Sequence, residues 1–419
     1  MTLIKNRFLR KLFLPGDEIP DRSAELNLNH NRGLSGHDIL TLSTQDWRDL
    51  WTRKQRFMQQ FARQGNKVLY IESQYHWFTY FKKFRKQWRR ISLFMAGPRQ
   101  VEHNLYIYTP PLLLPGFQMF PLLNTINNIV IAAFLRSAMR KLGMESPFLW
   151  LYSHYNSPLV KKLNCKRALY ECVDEFSGAR GLINPEVARE LENDTLEAVD
   201  AAIVTAPGLK SSKTNHNRNI HIIPNAANVT HFGKALLNPP EPEELCRIDH
   251  PRLTFIGGIA YWVDLNLLEH LAKQRPNWQI ILIGPLYVNV KKLEEYPNIH
   301  FLGKKVYNSL PAYLAASDLA LNPYRLDMVA ENCSPLKLYE YMASGLPVVS
   351  TNMPEARHFP GIINVAISYD DFINQVDRVL NWNNVEREEH RRRALKEAQK
   401  HTWEKRFIEA EKVAMGVLR

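Results

Sequence analysis

At 419 residues, 45% hydrophobic and 11% aromatic, the chain holds more apolar side chain than one compact core needs, and two domains of about 150–200 residues are the natural division. Lysine and arginine outnumber aspartate and glutamate 54 to 42, a net charge of +12, which points to an anionic partner: nucleic acid, anionic lipid or a phosphate-bearing substrate. Four scattered cysteines, Cys165, Cys172, Cys246 and Cys333, show no CxxC spacing, so neither a disulfide framework nor a zinc site is legible and a reduced compartment is favoured.

Residues 1–36 read as a basic and apolar extension. Basic side chains recur through LIKNRFLRKLF, so it lacks the apolar core of a signal peptide. HDILTLS (37–43) and KVLYIES (67–73) read as strands around an amphipathic helix at about 50–64. The stretch HWFTYFKKFRKQWRR (76–90) follows, and between Ser73 and Val101 there is no acid. Trp77, Phe81, Lys82, Lys83, Arg85, Lys86 and Trp88 suit an anionic membrane surface, with aromatic bodies and snorkelling cations, or alternatively a plain solvated helix face. Nucleic acid is disfavoured, because no recognition motif accompanies the patch.

The apolar run at 112–135 is broken by Pro115, Pro121, Asn124, Asn127 and Asn128, which makes it a poor spanning helix; a packed helix at about 122–142 is expected. PFLWLYS (147–153), RALYECV (167–173), AAIVTA (201–206) and IHIIPN (220–225) continue the strands and end a first domain at 232. His154 and Asp174, at the ends of two of these strands, are candidates for acceptor-side chemistry, although a loop histidine and a helix-capping aspartate look the same in sequence.

The Pro- and Glu-rich segment 233–250 reads as a linker. Beyond it RLTFIGG (252–258), WQIILIG (278–284), IHFLG (299–303), LALNP (319–323) and PVVS (347–350) alternate with helices, giving a second doubly wound domain over 251–385, and a charged helical segment closes the chain at 386–419. Two such domains present the carboxyl ends of two parallel sheets to one cleft.

Within SPLKLYEYMASGLPVVS, Ser334 suits an N-cap, Pro335 the first turn, and Gly345 a stop. Leu336, Tyr339 and Ala343 form an apolar stripe with Glu340 at its edge beside Lys337. A local Lys337–Glu340 ion pair explains that placement. So does a nucleotide, with pyrophosphate on the Leu336 and Lys337 amides and the Ser334 hydroxyl, and ribose on Glu340 roughly 9 Å further along. No metal site is legible, since the one adjacent carboxylate pair, Asp370–Asp371, suits a helix cap.

PLKLYEYMASGLPVVST, together with NIHIIPNAANVTHF, FIGGIAYWVDLNLL, LIGPL, NIHFLGKKVYNSLPAYLAASDLALNPY and YECVDEFSG in order, resembles the retaining nucleotide-sugar glycosyltransferases of family 4, the "glycosyl transferases group 1" enzymes. The chain is most similar to bacterial members acting in cell-surface polysaccharide synthesis, such as the teichuronic acid glycosyltransferases. The resemblance implies the α/β GT-B fold, with two doubly wound Rossmann-like domains facing across a cleft. It implies a metal-independent, retaining sugar transfer with no cofactor beyond the nucleoside-diphosphate sugar. A lipid-linked saccharide acceptor and a cytoplasmic enzyme resting on the inner face of the plasma membrane are expected with it.

Site residues follow from the same resemblance. Glu340 would bind the donor ribose, the turn Ser334–Pro335–Leu336–Lys337 its pyrophosphate, and Gly257 and Gly258 would let the phosphates approach the backbone. Lys305, Val306 and Tyr307 would line the base pocket. Two departures stand out. Asn332 occupies the place of the family's first glutamate, with Glu331 one residue out of register. The usual basic pair aligns with Gly258 and Val263, leaving Lys337 and Arg325 to supply positive charge. A sugar-nucleotide epimerase of the same fold and a non-catalytic sugar-nucleotide-binding protein are the alternatives.

Overall fold

The computed structural model describes residues 33–77, 84–175 and 184–419. It divides into two units. The first contains residues up to Val204 with Lys210–His221 and Ala410–Arg419; the second contains Thr205–Leu209 and Ile222–Glu409.

The first unit is built on an eight-stranded sheet. Its strands are β1 (Asp38–Leu42), β2 (Lys67–Ile71), β3 (Arg99–Glu102), β4 (Leu105–Tyr108), β5 (Phe148–Leu151), β6 (Arg167–Cys172), β7 (Ala201–Val204) and β8 (Ile220–Ile222), in the order β3-β4-β2-β1-β5-β6-β7-β8. β3 pairs antiparallel with β4, while β4, β2, β1, β5, β6 and β7 run parallel. β5 and β7 are apolar without interruption, FLWL and AAIV, as strands covered by helices on both faces are. The expected strand 220–225 is only three residues long: after His221 the chain passes into the second unit.

The second unit carries β9 (Arg252–Ile256), β10 (Gln279–Ile283), β11 (Ile299–Gly303), β12 (Leu319–Asn322), β13 (Val348–Thr351) and β14 (Ile363–Ala366) in the order β11-β10-β9-β12-β13-β14. Every pairing is parallel. This is the doubly wound 3-2-1-4-5-6 order, in which the winding reverses between the first and fourth strands, here β9 and β12. Alternate strand residues feed two cores. Phe255, Ile280, Leu282 and Val349 enter one with the helix Leu265–Gln274, whereas Ile256, Ile281 and Val348 enter the other with the helix Leu336–Ser344.

The expected linker 233–250 is corrected by this packing. Ala235 and Leu245 are buried in the second core, Glu244 binds Lys305 at 2.7 Å, and Arg252 donates to the Leu245 carbonyl at 2.8 Å, so the segment belongs to the second unit rather than connecting two bodies freely. The helix Asn384–Ala398, opened by an Asn383/Glu386 capping box, packs on Leu336–Ser344. The last helix, Trp403–Leu418, passes from the second unit into the first after Glu409, and there the Leu34 N–H donates to Glu411 at 2.9 Å.

Candidate active site

At the β9/β12 reversal two glycines meet. Gly257 follows β9 and Gly284 follows β10, and a Cβ on Gly284 would stand 1.9 Å from the Gly257 carbonyl oxygen. The Gly257 N–H donates to the Ile283 carbonyl at 2.7 Å, and both glycines hold φ values favoured only by glycine, +155° and +150°. Lys337 lies directly over this bare backbone: a Cβ on Gly257 would fall 1.9 Å from Lys337 Cε and 2.6 Å from Nζ. The ammonium sits 5.6 Å from the centre of the Phe255 ring. Burial pulls the Lys337 pKa below the ordinary lysine value, against the opposing pull of the Glu340 and Cys333 charges.

The helix that carries Lys337 and Glu340 is seated by Tyr341, whose hydroxyl accepts from the Ile256 N–H at 2.9 Å. Leu338, Tyr339, Tyr341, Met342, Ala343 and Ser344 are buried, a wider face than the expected stripe, and Leu336 is only half-buried. Glu340 is half-buried one turn beyond Lys337. The helix N-terminus therefore brings Lys337, Glu340 and the first-turn amides to the glycine turn, at the place where doubly wound sheets bind ligands.

Ser334 departs from expectation. Pro335 takes the cap position, without a side-chain cap. The Ser334 hydroxyl, 3% exposed, donates to Glu355 Oε1 at 2.9 Å and accepts from the Asn225 N–H at 3.1 Å, while its carbonyl accepts from Asn225 Nδ2 at 2.7 Å. It anchors the turn rather than facing an anion. Tyr339 also donates to Glu355, and Arg406 donates to the Asn225 carbonyl at 3.3 Å, so a polar network on the far side holds the loop.

The other predicted donor residues scatter. Gly258 faces Tyr287, whose ring would meet a Cβ there at 3.0 Å, with Trp262 at 3.9 Å. Lys305 turns to Glu244, Val306 is exposed, and the Tyr307 ring stacks on His231 at 4.2 Å, with His231 Nε2 3.1 Å from the Tyr307 carbonyl. Arg325 is exposed, and its charge reaches Tyr369, which donates to Asp264 at 2.8 Å. Glu331 ends the short helix Met328–Glu331 and is exposed; Asn332 caps that helix, donating to the Met328 carbonyl at 2.9 Å with its Oδ1 against Gly208. Tyr287, Trp262 and His231 were missed by sequence reasoning, although aromatic residues beside glycine turns were a usable signal. Asp371 accepts from the Ile367 N–H and Asp370 faces His270, and among the described residues no three metal-ligating side chains gather.

In the first unit, His154 follows β5 and Asp174 follows β6. His154 is 2% exposed, its carbonyl accepts from Thr195 at 2.8 Å, and burial together with the Lys213 charge lowers its pKa to about 3. This corrects its expected role: a ring so enclosed and so weakly basic is not placed to take a proton from an acceptor near neutral pH. Asp174 is exposed. Beside it lies a cluster that sequence reasoning missed. Glu171 accepts from Trp150 Nε1 at 2.7 Å and pairs with Arg53, and Lys54 donates to Thr44 at 2.6 Å. Burial lowers the Lys54 pKa to about 8, and the Asp174 and Glu171 charges oppose that shift.

Of the aromatic and basic patch, Phe81, Lys82 and Lys83 lie outside the described residues, as does the side chain of Arg85. Trp77, Lys86 and Trp88 are exposed, the last two on the helix Phe84–Met95.

Solved structures share this architecture over nearly the whole chain. A sucrose-phosphate synthase from Thermosynechococcus elongatus superimposes with a TM-score of 0.68 over 91% of this chain and 99% of its own, at 14% identity. Anabaena HepE, solved with UDP and glucose, gives 0.60 over 90% and 99%, at 13% identity. The fold is GT-B, and the chain is a glycosyltransferase. Residues 250–381 match the family described as glycosyl transferases group 1. A Bacillus subtilis (strain 168) protein named as a teichuronic acid biosynthesis glycosyltransferase, TuaH, is 26% identical over 271 residues, 60% of this chain and 68% of its own.

Proposed function

We propose that this chain transfers a sugar from a nucleoside-diphosphate sugar to a lipid-linked saccharide during bacterial cell-surface polysaccharide synthesis. The observation that carries this reading is Lys337 laid across Gly257 with Glu340 one turn on, at the reversal of the second sheet. The likeness to TuaH supports the polysaccharide context. In the reaction the acceptor hydroxyl oxygen bonds to the anomeric carbon as the bond from that carbon to the diphosphate breaks, the hydroxyl proton passes to the departing diphosphate, and negative charge develops on the leaving phosphate as the bond breaks. Lys337 Nζ and the Leu336 and Lys337 amides meet that charge, so no metal is needed, and Glu340 accepts hydrogen bonds from the two ribose hydroxyls. Retention of configuration and a cytoplasmic site of action, on the inner face of the plasma membrane, are part of the same proposal.

The test is to incubate purified protein with UDP- and GDP-sugars, with and without a lipid-linked saccharide. Nucleoside diphosphate released only with acceptor supports transfer. A donor epimerised without acceptor points to an epimerase, and binding without turnover to a sugar-nucleotide-binding protein.

A further inference from the structure

The helix Pro121–Leu142 is apolar on both sides: Ile131, Ala132, Leu135, Ala138 and Met139 are buried against its own unit. Its buried face includes Asn124, Asn127 and Asn128, whereas Leu122, Ile126, Ile129, Val130 and Phe134 are exposed. The asparagines are fully employed within the unit. Asn124 and Asn128 donate to the Tyr155 carbonyl at 3.0 and 3.1 Å, Asn127 exchanges two 3.0 Å bonds with the Leu114 backbone, and Asn128 accepts from Asn156 at 2.8 Å. The helix is long and apolar enough to cross a membrane, but these bonds hold one side of it against its own domain. Its outer side is left with Leu122 71% and Ile129 49% exposed.

A second, outward stripe of large apolar side chains on a helix that already has an apolar buried side is the reverse of what water favours. The outer residues recur with the helical i, i+4, i+7, i+8 pattern, so they form one stripe, which Arg136 and Arg140 continue into the last turns. A neighbouring helix extends the surface: Phe94 meets Phe134 edge-on at 4.9 Å, and Trp88 on the same helix is 66% exposed. From Ser73 to Met144 the sequence holds ten lysines and arginines and a single acid, Glu102. That acid is engaged by Gln59 at 2.7 Å and Arg63 at 3.5 Å. A second copy of this surface, or the basic stretch LIKNRFLRKLF, would bring like charge against like. An anionic lipid leaflet satisfies both the aliphatic stripe and the cations around it.

We infer that the outer face of Pro121–Leu142 is a monolayer-docking surface, with the aliphatic stripe entering the acyl boundary of an anionic leaflet while Lys86, Arg136, Arg140 and Lys141 meet its headgroups. This names the surface on which the proposed lipid-linked acceptor would be met, and so rests on that reading. The test uses the full chain and vesicles of phosphatidylcholine with or without phosphatidylglycerol. Wild type pellets with anionic vesicles at 0.1 M salt and keeps part of its binding at 1 M, where the Debye length falls from about 10 Å to 3 Å. Leu122→Ser/Ile126→Ser/Ile129→Ser, three outward side chains, keeps its circular dichroism melt, loses the salt-resistant part and binds at least tenfold more weakly. Arg136→Ser/Arg140→Ser/Lys141→Ser loses the salt-sensitive part instead. The inference is overturned if wild type ignores anionic vesicles, if the aliphatic variant pellets like wild type, or if sedimentation velocity without lipid shows that variant splitting a dimer. Titrating nucleoside diphosphate into the same preparations without vesicles separates the two readings: intact nucleotide binding with no vesicle binding defeats the docking surface alone, and the converse defeats the transferase reading alone.

Discussion

Gly257→Ala isolates the geometry of the donor site. The new Cβ would lie 1.9 Å from Lys337 Cε, so to regain a carbon–carbon contact of about 3.5 Å the lysine must retreat by about 1.6 Å. It can do so, being the far end of a flexible side chain, and its ammonium then leaves hydrogen-bond reach of a phosphate. The loss expected is one charge-assisted hydrogen bond, about 1.5–3 kcal/mol, or roughly a 10- to 150-fold weaker donor affinity. Backbone strain from φ +155° adds about 1–2 kcal/mol to the folding side. Calorimetry with nucleoside diphosphate on Gly257→Ala, Lys337→Met and the double variant separates the two contributions. If the glycine serves to clear room for Lys337, the alanine weakens binding strongly in wild type and hardly at all once Lys337 is methionine. Equal losses in both backgrounds would refute the reasoning, leaving the glycine with a purely conformational role.

Glu340→Gln is expected to weaken nucleotide binding by about 1.5–3 kcal/mol with an unchanged melting temperature, and calorimetry with uridine and guanosine diphosphates checks it. Nucleoside diphosphate release is expected to continue in EDTA; a loss restored by magnesium or manganese contradicts charge neutralisation by Lys337 and the helix amides. His154, with a folded pKa of about 3 against about 6.5 in an unfolded chain, makes the unfolded state the better proton binder in acid. Its contribution to stability is therefore present above about pH 6.5 and falls progressively towards pH 3, by about 2 kcal/mol between pH 7 and pH 5. Urea unfolding of wild type and His154→Asn at the two pH values measures the difference, and an equal pH dependence in both excludes the histidine as its source.

Much of the fold was legible because buried parallel strands read as short apolar runs: RLTFI, QIILI, FLWL and AAIV all appear where their patterns place them. The β3–β4 pair was not, because RQVE is a four-residue edge strand with no apolar face and its turn depends on Asn104 at φ +62°. Asn124, Asn127 and Asn128 read as interruptions of an apolar run, since pattern reasoning sends amides outward, and their backbone partners at Leu114 and Tyr155 are not visible in sequence.

In the site, Lys337 and Glu340 could be read because one helix carries both. The Ser334 assignment failed for a nonlocal reason: Glu355 and Asn225, 21 and 109 residues away, compete for its hydroxyl. Lys305 is likewise drawn off by Glu244. The buried Arg53–Glu171 pair escaped because charge patterning along a chain says nothing about ion pairs between a strand and a helix far apart in sequence.

The most direct measurement is a crystal structure of the protein soaked with a nucleoside-diphosphate sugar. The account predicts the diphosphate within hydrogen-bond distance of Lys337 Nζ and the Leu336 and Lys337 amides, with both ribose hydroxyls on the Glu340 carboxylate. A nucleotide bound elsewhere, or bound at the β9/β12 reversal without touching Lys337 and Glu340, would contradict it.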